Sequence, residues 1–339
     1  MSVQKTVSVI VPCYNEEGTI LLLLDALIQQ TYPLEAMEVV IADGMSTDHT
    51  RRVISEFQAF HPDFSLRIID NEKRAIPSGL NRAIESAGGH YIIRLDAHSV
   101  PDHDYIERCI SALDQDLGDN VGGVWNIQAG AATWIARSIA TAASHPLGVG
   151  DALYRIGAKA QIVDTVPFGA FRRDLALAIG LYDESLLTNE DYEFNTRIRQ
   201  QGGKIWLDPS IKSKYYARSS ITALAKQYWR YGFWKAQMLK RYPKTIRWRQ
   251  LLPPLLSGSL LVLLPTAIFL PWARNLLAVE LVLYLGCLLV VGIHMALRKK
   301  SVEYLVGLPL AIATMHITWG FALIWGIIHP THHHPTITK

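Results

Sequence analysis

Along the first hundred residues, short apolar runs recur at similar spacings, and each is followed by polar residues and then by a stretch with helical periodicity. The runs at residues 7–11, 38–42, 66–70 and 91–95 are rich in Val and Ile and read as buried strands. Between them the apolar spacing predicts helices over 19–30, up to residue 60, and over 77–87. Thr19 is the expected cap of the first helix, and Ser46 or Thr47 of the second. Strand and helix alternate, which predicts a doubly wound, mainly parallel α/β sheet. Further on, a helix is expected over 104–113 and a strand near 121–125, where Gly122-Gly123 allows close backbone approach. An apolar, small-residue helix over 131–143 reads as structural. A short strand over 165–171 precedes Arg172-Arg173, and a helix runs from Asn189 to the stop signal Gly202-Gly203. Strands over 204–207 and 212–216 lead into a helix over 221–242.

The pattern then changes. Residues 251–272, 276–297 and 302–328 are three apolar stretches, each meeting the ~20 residues that a membrane-spanning helix requires. The sequence therefore divides into an α/β domain (1–220), an amphipathic interfacial helix segment (221–250) and a membrane part of about three spans (251–339). Trp229, Trp234, Lys226, Lys235 and Lys240 on the helix before the first span suit a membrane surface. Residues 1–6 run straight into a strand and predict no signal peptide. Lys240, Arg241, Lys244, Arg247 and Arg249 precede the first span, and Arg298-Lys299-Lys300 separate the second from the third. The positive-inside rule then places the large domain at the cytoplasmic (inner) membrane, facing the cytoplasm. The net charge of +3 excludes a strong nucleic-acid signal. Cys13, Cys109 and Cys287 are too few and too scattered for a disulfide framework. Three spans with Glu280, His294 and His316 as inner ionisable groups do not resemble a sugar-lined pore, and His332-His333-His334 reads as a solvated tail.

Polar residues cluster where each of the first four strands ends: Tyr14 and Glu16, Asp43, Asn71 and Lys73, then Asp96 and His98. In an open α/β sheet those ends share one edge, where ligands bind. Acidic groups there suit ribose hydroxyls, base N–H groups and a metal, so a nucleotide is the expected ligand. Neither the dinucleotide fingerprint nor a P-loop is present, so phosphate is expected to be held through a cation. Asp96 and His98, two residues apart in an extended segment, would point the same way and converge on a divalent ion. Asn189 is the expected cap of a helix whose first turn carries Glu190 and Asp191, an arrangement the helix dipole also favours.

The ordered set Pro12-Cys13-Tyr14-Asn15-Glu16, Asp43-Gly44-Met45-Ser46-Thr47-Asp48-His49-Thr50 and Asp96-Ala97-His98 resembles the motifs of glycosyltransferase family 2. More narrowly, it is similar to membrane-attached exopolysaccharide transferases of the succinoglycan glucosyltransferase type. The resemblance implies a GT-A fold, a nucleotide-sugar donor, a divalent metal (Mn²⁺ or Mg²⁺) and inversion at the anomeric carbon. By that resemblance the Glu190-Asp191 pair places the general base on Asp191. Gln227-Tyr228-Trp229-Arg230-Tyr231 is similar to the family's QxxRW motif, with Tyr231 in place of Trp, which brings Gln227 and Arg230 to the donor diphosphate. Pro12, Tyr14, Glu16, Asp43, Asn71, Lys73 and Asp96 complete the expected nucleotide-sugar site, with Asp96 and His98 on the metal.

The expected activity is transfer from a UDP-sugar onto a lipid-linked (polyprenyl diphosphate) saccharide, in extracellular polysaccharide synthesis. Three alternatives stand beside it: a polyprenyl-phosphate glycosyltransferase, a processive polysaccharide synthase, and a nucleotide-sensing membrane scaffold without activity.

Overall fold

The computed structural model describes residues 6–329, so the His332-His333-His334 run lies outside the described residues. The chain opens with β1 (Val7–Cys13), α1 (Ile20–Ile28), β2 (Met37–Asp43), α2 (Thr50–Phe60), β3 (Leu66–Asp70), α3 (Ile76–Ser86) and β4 (Tyr91–Arg94). A central part follows: β5 (Val100–Pro101), α4 (Tyr105–Asp114), β6 (Asn120–Ala129), α5 (Trp134–Ala143), α6 (Pro146–Val149) and α7 (Leu153–Ile156). Next come β7 (Gln161–Val163), β8 (Ala170–Arg172), α8 (Arg173–Ala178), α9 (Glu190–Gln200) and β9 (Ile205–Ala217). Four long helices end the described chain: α10 (Ile221–Arg241), α11 (Leu252–Phe269), α12 (Pro271–Lys299) and α13 (Glu303–Ile328).

The strands form one sheet in the order β3-β2-β1-β4-β8-β6-β9-β5, with β7 beside β9. The first four are parallel, with Val7 opposite Met37 on one side and Tyr91 on the other. Parallel neighbours need crossover connections, which α1, α2 and α3 supply. Beyond β4 the β4–β8, β6–β8, β5–β9 and β7–β9 pairs are antiparallel. The sheet is therefore mixed, parallel through the half that the strand-helix alternation described. β1 and β2 are almost wholly buried, and Ile20, Leu23, Leu24 and Leu27 of α1 pack into the same core.

Several local expectations are corrected. The two strands expected over 204–207 and 212–216 are one continuous strand, β9, and the strand expected over 165–171 is reduced to β8. Thr19 precedes α1 without capping it, because its hydroxyl bonds Glu16. Ser46 and Thr47 stand too early to cap α2; Asp48 accepts from the Thr50 N–H at 3.0 Å. Asn189 sits before α9 in the left-handed region (φ 69°) with no side-chain cap. A competing local acceptor, the helix start or the backbone geometry has displaced the expected cap in these cases.

The described residues form two compact units. Residues up to Asn126 together with Gly157–Tyr215 make the first, and Ile127–Ile156 joins the residues from Tyr216 onward in the second. In the first unit Gly123 is a steric requirement, since a Cβ there would overlap the main-chain oxygen of Ile211 on β9. In the second, α13 is central. Gly232 of α10 packs against Trp319 and Ala322, and Gly320 of α13 against Pro253 and Ser257 of α11. The expected structural helix is α5, capped by the Thr133 hydroxyl. It belongs to this unit: Arg137 pairs with Glu303 at 2.6 Å, and His316 donates to the Leu147 main-chain oxygen at 2.7 Å. Among the described residues α11, α12 and α13 are long and apolar enough to cross a membrane.

Candidate active site

The loops after β1 and β2 are stitched together. The Asn15 N–H donates to the Ser46 hydroxyl at 2.8 Å, the Thr47 N–H to the Asn15 side-chain oxygen at 2.8 Å, and the Glu16 N–H to the Thr50 hydroxyl at 2.7 Å. Asn15 and Met45 adopt positive φ to make these turns. Gly44 passes against the Tyr14 ring. Pro12, Tyr14 and Glu16 are all partly exposed here.

Asp43 is fully buried, with its oxygens held by Ser46 (2.5 and 3.1 Å) and by Arg51 Nε at 2.6 Å. Arg51 also reaches Asp70 at 2.5 Å, which ties the end of β2 to the end of β3. Asn71 is buried too: its amide donates to the Ala75 main-chain oxygen at 2.8 Å and its carbonyl accepts from Ser78 at 2.8 Å. Asp43 and Asn71 thus shape the loops rather than present free polar ends. Lys73 is exposed and pairs with Glu184 at 2.6 Å.

Past β4 the chain is not extended. Asp96 and Ser99 close a turn, the Ser99 N–H donating to the Asp96 main-chain oxygen at 2.9 Å, so strand alternation does not orient Asp96 and His98. His98 Nδ1 instead lies 3.3 Å from a Glu16 carboxylate oxygen. Both side chains reach solvent, Asp96 at 26% and His98 at 42% exposure. Among the described residues no three His, Cys, Asp or Glu side chains gather as a metal group. One carboxylate and one imidazole fit an ion that takes its remaining ligands from diphosphate and water.

The centre of the site is a residue the strand reading passed over. Arg94, the last residue of β4, is 3% exposed and meets three carboxylates. Its Nη2 lies 3.1 Å from Asp96 and 3.0 Å from Glu190, and its Nη1 contacts Asp191. The Phe168 ring stands 5.9 Å from the guanidinium carbon, held by a residue at φ 59°. A charged residue within Tyr91-Ile92-Ile93-Arg94-Leu95 was the available signal, because buried Arg is almost always paired. Of the acidic pair at the start of α9, Glu190 is the more enclosed, and Asp191 keeps 25% of its side chain open. Burial raises the Asp191 carboxyl to about 7; the neighbouring Glu190 and Asp96 carboxylates add to that rise, and Arg94 opposes it. A carboxylate poised there is matched to general-base work near neutral pH.

Gln227 and Arg230 lie on α10 in the second unit, where Gln227 is buried and donates to the Tyr231 hydroxyl at 2.9 Å and Arg230 is exposed.

Residues 8–179 match the model of "Glycosyl transferase family 2". A dolichyl N-acetyl-alpha-D-glucosaminyl phosphate 3-beta-D-2,3-diacetamido-2,3-dideoxy-beta-D-glucuronosyltransferase of Methanococcus voltae is 30% identical over 95% of this chain and 97% of its own. The chain belongs to glycosyltransferase family 2. The succinoglycan biosynthesis protein ExoA of Rhizobium meliloti (strain 1021) is 31% identical over 92% of each chain. Among solved structures, the mannosyltransferase PcManGT of Pyrobaculum calidifontis, in complex with GDP-Man and Mn²⁺, superposes with a TM-score of 0.65 at 21% identity, covering 96% of this chain and 88% of that one. This glycosyltransferase therefore carries a GT-A-like mixed α/β sheet, followed by three helices long and apolar enough to span a membrane.

Proposed function

We propose that this glycosyltransferase moves a sugar from a UDP-sugar onto a lipid-linked saccharide at the cytoplasmic face of the inner membrane, with inversion, during extracellular polysaccharide synthesis. The observation that carries the reading is Asp191, a partly open carboxylate raised to about 7 and held by the same guanidinium as Asp96. The name of one relative, which acts on a dolichyl-linked sugar phosphate, supports a lipid-linked acceptor, and that of the other, a succinoglycan biosynthesis protein, supports polysaccharide synthesis. In this reading the division into a catalytic part (1–220), an interfacial helix (221–250) and a membrane part (251–339) also stands as a proposal.

Pro12, Tyr14 and Glu16 line the nucleoside site, and Asp43 and Asn71 hold its loops in shape, with Lys73 at its edge. Asp96 and His98 hold a divalent ion, which when bound neutralises charge on the diphosphate leaving group. Gln227 and Arg230 are assigned to the diphosphate by their likeness to the QxxRW motif alone, with Arg230 stabilising charge on the departing nucleotide. Asp191 takes the proton of the acceptor hydroxyl as that oxygen attacks the anomeric carbon from the face opposite the leaving group. A single displacement of this kind inverts the centre and needs one base.

The test is a thermal-shift screen of nucleotide sugars with Mn²⁺, with Mg²⁺ and without metal. It is followed by transfer assays on polyprenyl phosphate and on polyprenyl-diphosphate-sugar. The expected result is a metal-dependent shift with a UDP-sugar, larger with Mn²⁺, and transfer only to the saccharide-bearing lipid. Transfer to polyprenyl phosphate itself, or polymer from one donor, would replace the acceptor assignment. His98→Asp is expected to raise relative use of Mg²⁺, which prefers oxygen ligands; an unchanged metal preference would remove His98 from the metal site.

A further inference from the structure

The site contains one buried cation for three carboxylates, and those carboxylates come from two distant parts of the chain. Asp96 follows β4 directly, whereas Glu190 and Asp191 open α9 nearly a hundred residues later. Arg94 spans both: one terminal nitrogen is shared between Asp96 (3.1 Å) and Glu190 (3.0 Å), and the other contacts Asp191. The planar fork makes this possible, and a Lys ammonium, a single point of charge, has no such geometry. The Arg94 N–H also donates to the Gly169 main-chain oxygen at 3.1 Å, and the Phe168 ring faces the guanidinium. The residues just before β8 therefore hold the Arg94 main chain and pack on its guanidinium.

A buried pair meant only to anchor α9 would need one partner for one charge. Three acids around one guanidinium leave negative charge in excess, a costly arrangement in a buried place. Two of those acids still reach solvent, Asp96 at 26% and Asp191 at 25%.

We propose that Arg94 is a positioning residue that sets Asp191 and Asp96 at a fixed separation, so that the base for the acceptor and the carboxylate facing the donor diphosphate are registered by one side chain. The inference rests on the reading of Asp191 as base and Asp96 as donor-side ligand. Arg94 is 3% exposed and acts through the two carboxylates.

The test uses the full-length protein in detergent, with the nucleotide sugar selected by the thermal-shift screen and a polyprenyl-diphosphate-sugar acceptor. Wild type, Arg94→Lys, Asp191→Asn and the double variant are compared for kcat. Mn²⁺-dependent UDP affinity is measured by calorimetry and the unfolding midpoint alongside. Loss of an orienting partner of this kind typically costs on the order of 10–100-fold. Arg94→Lys is therefore expected to lower kcat by that order and to weaken Mn²⁺-dependent UDP binding. Asp191→Asn is expected to lower kcat and leave UDP affinity alone. In the double variant kcat is expected to match Asp191→Asn, because an effect exerted through the base disappears with the base. Additive losses, or Arg94→Lys that only lowers the unfolding midpoint, overturn the inference and leave the base assignment standing. Near-normal turnover in Asp191→Asn overturns both together. Should Arg94→Lys fail to fold, Phe168→Leu loosens the guanidinium without changing charge. Its kcat loss is expected to vanish in the Asp191→Asn background, and a loss that persists there overturns the inference.

Discussion

In the first unit Arg94 is 3% exposed and faces three carboxylates, whereas in the second Lys235 is 4% exposed and donates to the main-chain oxygen of Thr245 at 3.2 Å. Both are cations taken out of water, and the difference lies in their partners. Lys235 donates to a neutral oxygen ten residues on, and buried Gln237 donates across to the Gly326 main-chain oxygen of α13 at 2.9 Å. Such contacts satisfy a polar group so that helices can pack. Arg94 gathers more negative charge than it neutralises, from two segments far apart in the chain. Excess charge of one sign, part-open to solvent, is the arrangement that the proposed catalytic role of Asp191 calls for.

The comparison is broken most directly by removing Asp191. Asp191→Asn is expected to slow transfer by ~10²–10⁴-fold while UDP affinity persists, and Lys235→Met is expected to lower the unfolding midpoint and leave the turnover of folded protein near normal. Comparable losses of turnover in the two variants would erase the distinction.

Acidity sharpens it next. Asp191 must be ionised to accept a proton, so kcat is expected to fall about tenfold per pH unit below a carboxyl raised to about 7. The stability linkage has the opposite sense. The folded carboxyl holds its proton more tightly than the unfolded one, so its contribution is fully present below the unfolded value of 3.8 and is lost as pH rises through about 7. A kcat profile flat from pH 5 to 8 would show that Asp191 is not the titrating base.

Packing in the second unit supplies a smaller effect. A side chain on Gly232 runs into the Trp319 main-chain oxygen and Ala322. Gly232→Leu is expected to cost about 1–3 kcal/mol in the range typical of overpacking, read as a lower unfolding midpoint in detergent. An unchanged midpoint would mean that α10 and α13 are not closely packed. The smallest effect belongs to Thr133, whose hydroxyl accepts from the Ala136 N–H at 3.3 Å. Thr133→Ala is expected to cost about 1 kcal/mol, as N-cap removal usually does, with no change in UDP affinity.

What could be read in the chain follows from how local each feature is. The first four strands appeared because parallel strands buried on both faces show as continuous apolar runs, as in Val7-Ser8-Val9-Ile10-Val11. The three C-terminal helices appeared because a run of some twenty apolar residues is its own signal. Asp96, His98 and Asp191 were proposed from motif order, which a linear chain preserves, and their roles remain proposals. The caps at Thr19, Ser46 and Asn189 were misjudged because two of the hydroxyls bond acids three residues earlier and Asn189 takes a left-handed backbone.

Sequence alone was enough for the strand-helix alternation, the apolar spans and the family to which the chain belongs, since each rests on residue order and on spacing along one segment. Only the tertiary structure decided that Ile127–Ile156 joins the unit of the long helices, that the far half of the sheet is antiparallel, and that Arg94 stands between Asp96 and Asp191. Those depend on which distant segments meet. A guanidinium ending a strand acquires its role from carboxylates almost a hundred residues away, and no local pattern records that meeting.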